Sequence, residues 1–503
     1  MKNLICILFS LSLLLGACNK DKAIGSLPRS IPEKEGVSSE GILKFVEALE
    51  QSSGDEFHSF ILLRHGKVIA EGWWDPFKPE LKQTIYSTSK TFTSTAIGFA
   101  VAENLLTVDD KVVSFFPDLL PDTVCPYLEQ MTVKNLLSMA TGQEYESSRK
   151  VDNWEQAFLA TPVKYEPGTV FSYNSMATYM LSAIIQKLTG QRVLDYLTPR
   201  LFEPLAIEGA EWELSPTGVN TGGWGLRIHT EDMAKLGQLY LQKGQWNGKQ
   251  ILPASWIAEA TSAKILQKPE ISDEQRSIDD WAQGYCYQIW RCRNNAFRAD
   301  GAYGQYIIVM PDWDAVIAIQ ANVGNMQREI NYVWDILLPA MHPEALPENK
   351  VAAETLKQKL ASLKIAPLAA TTTIPASAEG TYTITDFGGQ TSTFALNFDN
   401  DTCIVNWGEY NLKFGNGTWI AGETERPAPN LLPSVWAFRE FPPFNVFGSY
   451  SISDSATVLL ALKYAETPHT EYAECHFTGD SLHLKTRVGN LGNEWTFAGV
   501  KRQ

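Results

Sequence analysis

Ser87 and Lys90 are the residues best suited to chemistry in this chain, because they have Ser-x-x-Lys spacing just where an apolar run begins. The run covers residues 92–101 and predicts a helix, on which positions i and i+3 lie on one face. The lysine amine would then lie one turn from the serine hydroxyl, which becomes a good nucleophile only when a nearby base takes its proton. The helix N-terminus adds free backbone N–H groups and a positive partial charge. The spacing therefore predicts a serine nucleophile with a lysine base.

The same spacing has a simpler interpretation, in which Ser87 caps a helix and Lys90 is a surface lysine. Short motifs also recur by chance, and a second Ser-x-x-Lys begins at Ser147 and ends at Lys150. That copy lies in a polar stretch, residues 143–152, with no apolar helix behind it. We interpret the second copy as a solvated loop.

Tyr173 is the second candidate. A Pro-Gly turn at Pro167 and Gly168 and a short extended stretch lead into an apolar helix, and Tyr173 stands at the junction, where a loop can present it to a cleft. A phenol beside a lysine ammonium is expected to have a lowered pKa and to act as general acid or base for the serine. The alternative is a core tyrosine with a satisfied hydroxyl.

The third candidate is the glycine-rich stretch from Ala299 to Gln305, which enters a strand of a late hairpin. Gly301 lets a substrate approach the backbone closely. The backbone N–H of Ala302, together with that of Ser87, would form an oxyanion hole. The alternative is a glycine-rich bulge or turn.

The elements that must position these residues are visible as periodic segments. They are a hairpin over 58–74, helices over 89–104, 132–140, 176–189 and 230–241, a second hairpin over 305–321, and a helical segment over 329–341. Strands at both ends therefore enclose a mostly helical middle. We expect the two hairpins to join in one antiparallel sheet with helices packed on it.

The chain divides by composition into five segments. They are a signal peptide over 1–18, a tether over 19–35, a hydrolase domain over 36–342, a helix and linker over 343–377, and a C-terminal domain over 378–503. The last segment has short alternating runs broken by Gly, Asn and Asp. It predicts eight to ten strands in a small antiparallel barrel or sandwich.

The first eighteen residues have a basic start, an apolar core and small residues before Cys18, as a secretory signal has. Leu-Gly-Ala-Cys resembles the bacterial lipobox, which implies that Cys18 is lipidated and is the mature N-terminus. The resemblance implies a membrane-anchored lipoprotein that faces the periplasm or the cell surface and touches the membrane only through its lipid. An ordinary signal peptide with an incidental cysteine is the alternative.

Composition narrows the possible partners. The formal net charge of −15 argues against nucleic acid. The seven histidines are scattered and no metal-ligand spacing occurs, so the sequence predicts no metal and no cofactor. Five cysteines remain beyond Cys18, an odd number that excludes full pairing within the chain. Among them Cys403 and Cys475 share the C-terminal domain and are able to pair in an oxidising compartment.

The order of the three motifs resembles the serine β-lactamase and penicillin-binding-protein superfamily. The similar branch contains class C β-lactamases, esterases, D-aminopeptidases and 6-aminohexanoate-dimer hydrolases, and the resemblance covers residues 35–342. It implies a β-lactamase-like α/β fold of the α+β type, with an antiparallel sheet flanked by helices and an all-helical subdomain. It also implies that Ser87 is acylated, that Lys90 and Tyr173 move protons, and that the Ser87 and Ala302 N–H groups hold the oxyanion.

Two departures from the family pattern bear on the substrate. Ser175 stands where class C β-lactamases have the asparagine of Tyr-x-Asn, and Ala299 stands where the third motif usually has lysine or histidine. The missing cation argues against efficient hydrolysis of β-lactams and of peptides with a free C-terminal carboxylate. Besides Ser175, three aromatic residues are candidate substrate contacts with an equally good core-packing interpretation, namely Trp224, Tyr287 and Tyr303.

The leading interpretation is a serine hydrolase of esterase or amidase type that acts on small molecules or peptides. The alternatives are a β-lactamase or D-amino-acid peptidase, or a penicillin-binding-like lipoprotein with little turnover. The oligomeric state stays open.

Overall fold

A computed structural model describes residues 26–371, 374–375, 378–386, 388–431, 440–441 and 443–502. The signal peptide and Cys18 lie outside the described residues. Within the described ranges, no helix combines the length and the apolar character that a bilayer span requires.

The two hairpins join in one six-stranded antiparallel sheet, as the sequence predicts. The strand order is β2-β1-β11-β10-β9-β8, and β1 pairs directly with β11. The strands of this part of the chain are β1 (Glu56–Arg64), β2 (Lys67–Trp73), β3 (Gln83–Thr84), β4 (Glu211–Trp212), β5 (Leu226–Ile228), β6 (Gln245–Trp246), β7 (Lys249–Gln250), β8 (Trp290–Arg291), β9 (Phe297–Gly301), β10 (Gln305–Met310) and β11 (Ala315–Asn322). Every residue of β10 and β11 is buried, because helices cover both faces of the sheet.

Thirteen α-helices lie in the described residues around this sheet. They are α1 (Ser39–Glu50), α2 (Ser89–Ala102), α3 (Val112–Phe115), α4 (Pro126–Gln130), α5 (Val133–Leu137), α6 (Trp154–Ala160), α7 (Ser175–Thr189), α8 (Val193–Leu197), α9 (Thr230–Leu241), α10 (Ala254–Ala260), α11 (Asp273–Arg276), α12 (Met326–Tyr332) and α13 (Lys350–Ala361). One face of the sheet packs on α1, α12 and α13, and the other packs on α2 and α9, with α7 packed on α2. The helices from α2 to α8 form the predicted helical middle.

Helix α2 is the centre of that middle layer, with all but its last two residues buried. It contains three consecutive hydroxyl residues, Thr93, Ser94 and Thr95, and two of these hydroxyls donate to carbonyl groups. Thr93 donates to the carbonyl of Gly222 at 2.8 Å, and Thr95 donates to the carbonyl of Thr91 at 2.8 Å. The helix is therefore fixed to the loop before β5 as well as to the apolar core.

The described part of the predicted tether, residues 26–35, packs against the domain that follows it. Leu27 is buried, and Arg29 forms ion pairs with Glu71 at 2.8 Å and with Glu231 at 2.7 Å. Residues 32–35 then form a short 3₁₀ helix packed against the domain. Long-range partners therefore hold this described part in place, and a charged, unpatterned stretch does not reveal such partners in its own composition.

The C-terminal domain is a closed nine-stranded barrel with a tenth strand added at its edge. Its strands are β12 (Gly380–Thr385), β13 (Thr391–Asp399), β14 (Thr402–Trp407), β15 (Tyr410–Asn416), β16 (Ile420–Thr424), β17 (Phe444–Asp454), β18 (Thr457–Tyr464), β19 (Thr470–Thr478), β20 (Ser481–Val488) and β21 (Asn493–Lys501). A parallel pairing of β15 with β17 closes the ring, and β16 pairs only on the outside of β17. The all-β prediction is confirmed. Cys403 and Cys475 are both buried free thiols in the barrel core, so the considered disulfide is not formed.

Candidate active site

Ser87 lies in a single 3₁₀ turn, Tyr86–Thr88, directly before α2. Two hydroxyl groups fix this turn. Thr88 Oγ1 donates to the carbonyl of Gln305 at 2.7 Å, and Ser89 Oγ donates to the carbonyl of Tyr86 at 2.6 Å. Tyr86 has a φ of 44°, a region that a bulky residue adopts only when surrounding contacts hold it there. The candidate nucleophile therefore sits on a tightly held turn between a helix and the sheet.

Lys90 points its amine at Ser87, as the helical spacing predicts. Nζ lies 3.0 Å from Ser87 Oγ, 3.2 Å from Ser175 Oγ and 2.7 Å from the carbonyl oxygen of Gly223. The residue is only 2% exposed. Burial lowers the pKa of Lys90 to about 7, with nearby Glu146 opposing the change and Arg149 adding to it. The site thus contains an amine that is partly neutral near pH 7 and within proton-transfer distance of a hydroxyl.

Tyr173 comes from the loop before α7 and meets both residues. Its hydroxyl hydrogen-bonds with Ser87, and Lys90 Nζ lies 4.9 Å from the centre of its ring. The ring stacks on Trp290 with centroids 5.7 Å apart, and 37% of the residue stays exposed, so part of the ring lines an open cleft.

The expected lowering of the Tyr173 pKa is wrong. Desolvation raises the pKa of this phenol above its ordinary value, although its hydrogen bond with Ser87 opposes the change. The lysine amine faces the ring and is itself only partly charged near neutral pH, so it stabilises the phenolate weakly. Tyr173 is therefore a protonated phenol, suited to donate a proton.

Ala302 lies in the turn between β9 and β10, directly after the end of β9, so its N–H belongs to a turn and not to a strand edge. This turn packs against the nucleophile turn, the 3₁₀ turn Tyr86–Thr88 that holds Ser87. A Cβ on Gly301 would come 2.3 Å from the carbonyl oxygen of Ile85 and 3.0 Å from Thr88 Oγ1. Gly301 thus allows β9 to lie directly against residues 85–88, beside the Ser87 N–H.

Two of the candidate substrate contacts belong instead to the packing around the site. Trp224 is 3% exposed and donates its Nε1–H to Glu213 at 3.1 Å. Tyr287 is fully buried and donates its hydroxyl to Glu259 at 2.8 Å, so its core-packing interpretation holds. By contrast, Ser175 accepts a hydrogen bond from the lysine amine, and Tyr303 is half-buried beside the nucleophile turn.

Glu146 and Arg149 are residues of the site that the sequence reasoning missed. They lie in the loop with the second Ser-x-x-Lys, whose Lys150 is exposed as expected but whose Ser147 is buried. Glu146 accepts a hydrogen bond from the backbone N–H of Ser175 and pairs with Arg149 at 2.9 Å. No local pattern marks them, because the loop reaches the site only through the packing of distant helices.

The third motif contributes no cation to the described site. Ala299 is buried, and its neighbours in the apolar core include Tyr240 and Ile307. Arg298 and Asp300 lie on the opposite face of β9, as strand alternation predicts, and form a buried pair at 2.8 Å. The Arg298 guanidinium also packs over the Trp281 ring, so the pair is part of the packing behind the cleft.

The chain matches the beta-lactamase family model over residues 55–337, more than half of its 503 residues. It is 23% identical over 298 residues to the 6-aminohexanoate-dimer hydrolase of Paenarthrobacter ureafaciens, covering 54% of this chain and 73% of that protein.

Two solved structures are similar at low identity. A Bacillus anthracis protein provisionally named a 6-aminohexanoate-dimer hydrolase has a TM-score of 0.50 at 21% identity, covering 64% of this chain and 89% of that one. A Bacteroides dorei protein provisionally named a beta-lactamase has a TM-score of 0.52 at 15% identity, covering 60% and 99%. These likenesses concern the fold. The family match over residues 55–337 establishes that the chain belongs to the beta-lactamase family.

Proposed function

We propose that this chain is a serine hydrolase that cleaves ester or amide bonds of small molecules or peptides through an acyl-enzyme on Ser87. The observation that carries the proposal is the distance of 3.0 Å between Lys90 Nζ and Ser87 Oγ. The pKa of this amine is about 7, so near neutral pH a large share of Lys90 is neutral and can accept the serine proton.

In the proposed acylation, Ser87 Oγ attacks the substrate carbonyl carbon and its proton passes to Lys90 Nζ. The backbone N–H groups of Ser87 and Ala302 hold the oxyanion. When the intermediate collapses, the bond to the leaving oxygen or nitrogen breaks and the Tyr173 phenol gives that atom its proton. The proton held by Lys90 then restores the phenol. Water attacks the ester carbonyl with the same groups acting in reverse, which frees the acid and regenerates Ser87.

The substrate class rests on chemistry and on one relative. The name of the Paenarthrobacter protein denotes hydrolysis of a 6-aminohexanoate dimer, which supports ester or amide substrates here. The aromatic surface of Tyr173 and Trp290 beside the nucleophile favours substrates with an apolar group next to the scissile bond. The apolar surroundings of Ala299 offer no cation to a β-lactam carboxylate.

The test compares three substrate types with wild-type protein and Ser87→Ala: p-nitrophenyl esters, a chromogenic cephalosporin and D-Ala peptides. We expect ester hydrolysis that disappears in Ser87→Ala, with the cephalosporin left intact. Mass spectrometry with a fluorophosphonate should place the label on Ser87. Ester hydrolysis that survives in Ser87→Ala would contradict the proposal, and efficient cephalosporin turnover would redirect it to a β-lactamase.

A further inference from the structure

The C-terminal barrel contacts the catalytic centre through the loop at residues 465–469, between β18 and β19. At the end of this loop, His469 is 1% exposed, and its Nε2 lies 2.6 Å from the hydroxyl of Tyr86. The backbone of Leu431, also from the C-terminal part of the chain, hydrogen-bonds to the same hydroxyl. The residue immediately before the nucleophile is thus held by two groups from outside the family domain.

The same histidine also contacts the turn at residues 302–304, between β9 and β10, which holds Ala302 and is the oxyanion turn. Its ring stands edge-on to Tyr303, with centroids 4.9 Å apart at 86°. Tyr303 follows Ala302 and packs in turn on Tyr86, with centroids 5.9 Å apart. One barrel side chain therefore contacts the neighbours of both backbone N–H groups assigned to the oxyanion.

The backbone at these two neighbours needs such support. Tyr86 has a φ of 44° and Tyr303 a φ of 64°, both in the left-handed region that bulky residues seldom adopt. Strained residues keep that conformation only where surrounding contacts over-determine it. In both cases His469 is one of those contacts.

Two more links tie the barrel to the site. The backbone N–H of Thr84, two residues before Tyr86, donates to the carbonyl of Glu466 at 2.8 Å. Asn430 donates to Glu213 at 3.1 Å, and Glu213 accepts from Trp224 at 3.1 Å. Trp224 follows Gly223, whose carbonyl accepts the hydrogen bond from Lys90. The nucleophile turn and the oxyanion turn thus contact the barrel directly, and the anchor of the lysine is linked to it through Glu213 and Trp224.

We propose that the barrel is a working part of the active site, in which His469 is a positioning residue that sets the Ser87 and Ala302 N–H groups through Tyr86 and Tyr303. This inference rests on the proposed hydrolase function. His469 is not expected to touch the substrate or to carry a proton. Its imidazole stays neutral, because burial lowers its pKa to about 3. Removing it should slow acylation, since displacing a nucleophile or an oxyanion donor by a fraction of an ångström weakens transition-state contacts.

The experiment uses the full chain with His469→Ala, His469→Gln and Tyr86→Phe, and with His483→Ala as an exposed barrel histidine for comparison. We expect kcat for a p-nitrophenyl ester to fall roughly 10- to 100-fold in His469→Ala and Tyr86→Phe, with KM changed less than about threefold. The fluorophosphonate labelling rate of Ser87 should fall in parallel. His469→Gln, which keeps a polar group near the Nε2 position, should recover most of the loss, and His483→Ala should match wild type.

Equal kcat and labelling rates in wild type, His469→Ala and Tyr86→Phe would overturn the proposal. So would a loss in His469→Ala that His469→Gln does not recover while both proteins keep the wild-type Tm. If His469→Ala does not fold, the near-isosteric Tyr86→Phe decides alone. Labelling that persists in Ser87→Ala would overturn the hydrolase function itself, whereas Ser87-dependent labelling at unchanged rates would overturn only the role of the barrel.

Discussion

At the scale of single residues, the proposed chemistry depends on the environment of Lys90. A lysine in water is charged at neutral pH and cannot accept a proton. Burial beneath Ser87, Ser175 and the carbonyl of Gly223 lowers the pKa of this amine to about 7, while Tyr173 stays a protonated phenol. A base and an acid are therefore available together at the same pH, which acyl transfer requires.

The pH dependence of activity should follow this amine. Only the neutral form of Lys90 accepts the serine proton, so kcat/KM should rise between pH 6 and pH 8 with a midpoint near the lysine pKa of about 7, and then level off. Stopped-flow acylation rates across this range measure the midpoint. Glu213 also has a pKa near 7, raised by burial, so its titration would give a midpoint at the same pH. The control is Glu213→Gln, in which the midpoint should stay in place if Lys90 is the group that titrates. A midpoint that disappears in that variant would assign the titration to Glu213.

Replacing Lys90 by arginine tests the base without removing the positive charge. A guanidinium stays protonated at all accessible pH values, so Lys90→Arg should lower kcat by about 10²- to 10⁴-fold and abolish the pH midpoint. Lys150→Arg, the exposed lysine of the second Ser-x-x-Lys, is the matched control and should keep wild-type kinetics. Residual activity within tenfold of wild type would exclude Lys90 as the base.

At the scale of elements, the site depends on the close approach of β9 to the turn before α2. Gly301 makes that approach possible, and Thr88 fixes it by donating to the carbonyl of Gln305 in β10. These two contacts hold the oxyanion turn against the nucleophile turn, although more than two hundred residues separate the two turns in the chain.

Gly301→Ala should lower the catalytic rate far more than it lowers the thermal stability of the protein. The new Cβ would lie 2.3 Å from the carbonyl oxygen of Ile85, so either β9 or the nucleophile turn must shift, and we expect kcat to fall roughly 100-fold. Gly324→Ala is the control, because a Cβ there meets no atom within 4 Å. Ester hydrolysis and thermal unfolding of the two variants measure the effect. Wild-type kinetics in Gly301→Ala would show that the approach of β9 does not position Ser87.

At the scale of the whole molecule, the barrel is attached to the sheet by a buried ion pair. Lys463 is 1% exposed, and its Nζ contacts Glu56 at 2.5 Å and Thr470 at 2.8 Å. Burial by itself would raise the pKa of Glu56, but Lys463 and His58 outweigh it and lower that pKa to about 2. This contribution to stability should be complete above the ordinary carboxyl pKa of about 4.5 and be lost as the pH falls towards 2.

Lys463→Met should destabilise the chain by about 3–5 kcal/mol, because it leaves the Glu56 carboxylate without its cation in a largely buried position. Adding Glu56→Gln should recover much of that loss, since the double variant buries no unpaired charge. Urea unfolding at pH 7 measures both free energies. A loss below about 1 kcal/mol, as an exposed pair gives, would contradict the buried assignment.

The lipid anchor is a prediction for the whole molecule that rests on sequence alone. Cys18→Ala should move the protein from the membrane fraction to the soluble fraction of cells, because the thioether-linked lipid can no longer form. Immunoblots of the two fractions and mass spectrometry of the mature N-terminus provide the test. Membrane association that persists in Cys18→Ala would point to another attachment.

The sequence by itself determined the features that arise from local order. Alternating and helical periodicity predicted the two hairpins, the helices α2, α7 and α9 and the all-β C-terminal domain, because burial of one face imposes a short-range pattern on the chain. The i, i+3 spacing predicted the contact between Ser87 and Lys90, because the 3₁₀ turn that holds Ser87 runs directly into α2 and keeps residues three apart on one face.

Only the tertiary structure decided the properties that depend on distant neighbours. The pKa of Tyr173 is raised and not lowered, because desolvation of the hydroxyl outweighs the partly neutral amine that faces its ring. Glu146 lies in the site, whereas Tyr287 lies in the core. The His469 imidazole contacts the Tyr86 hydroxyl across the boundary between the two domains. Desolvation and long-range contacts are sums over atoms from many segments, and no local spacing in the chain encodes them.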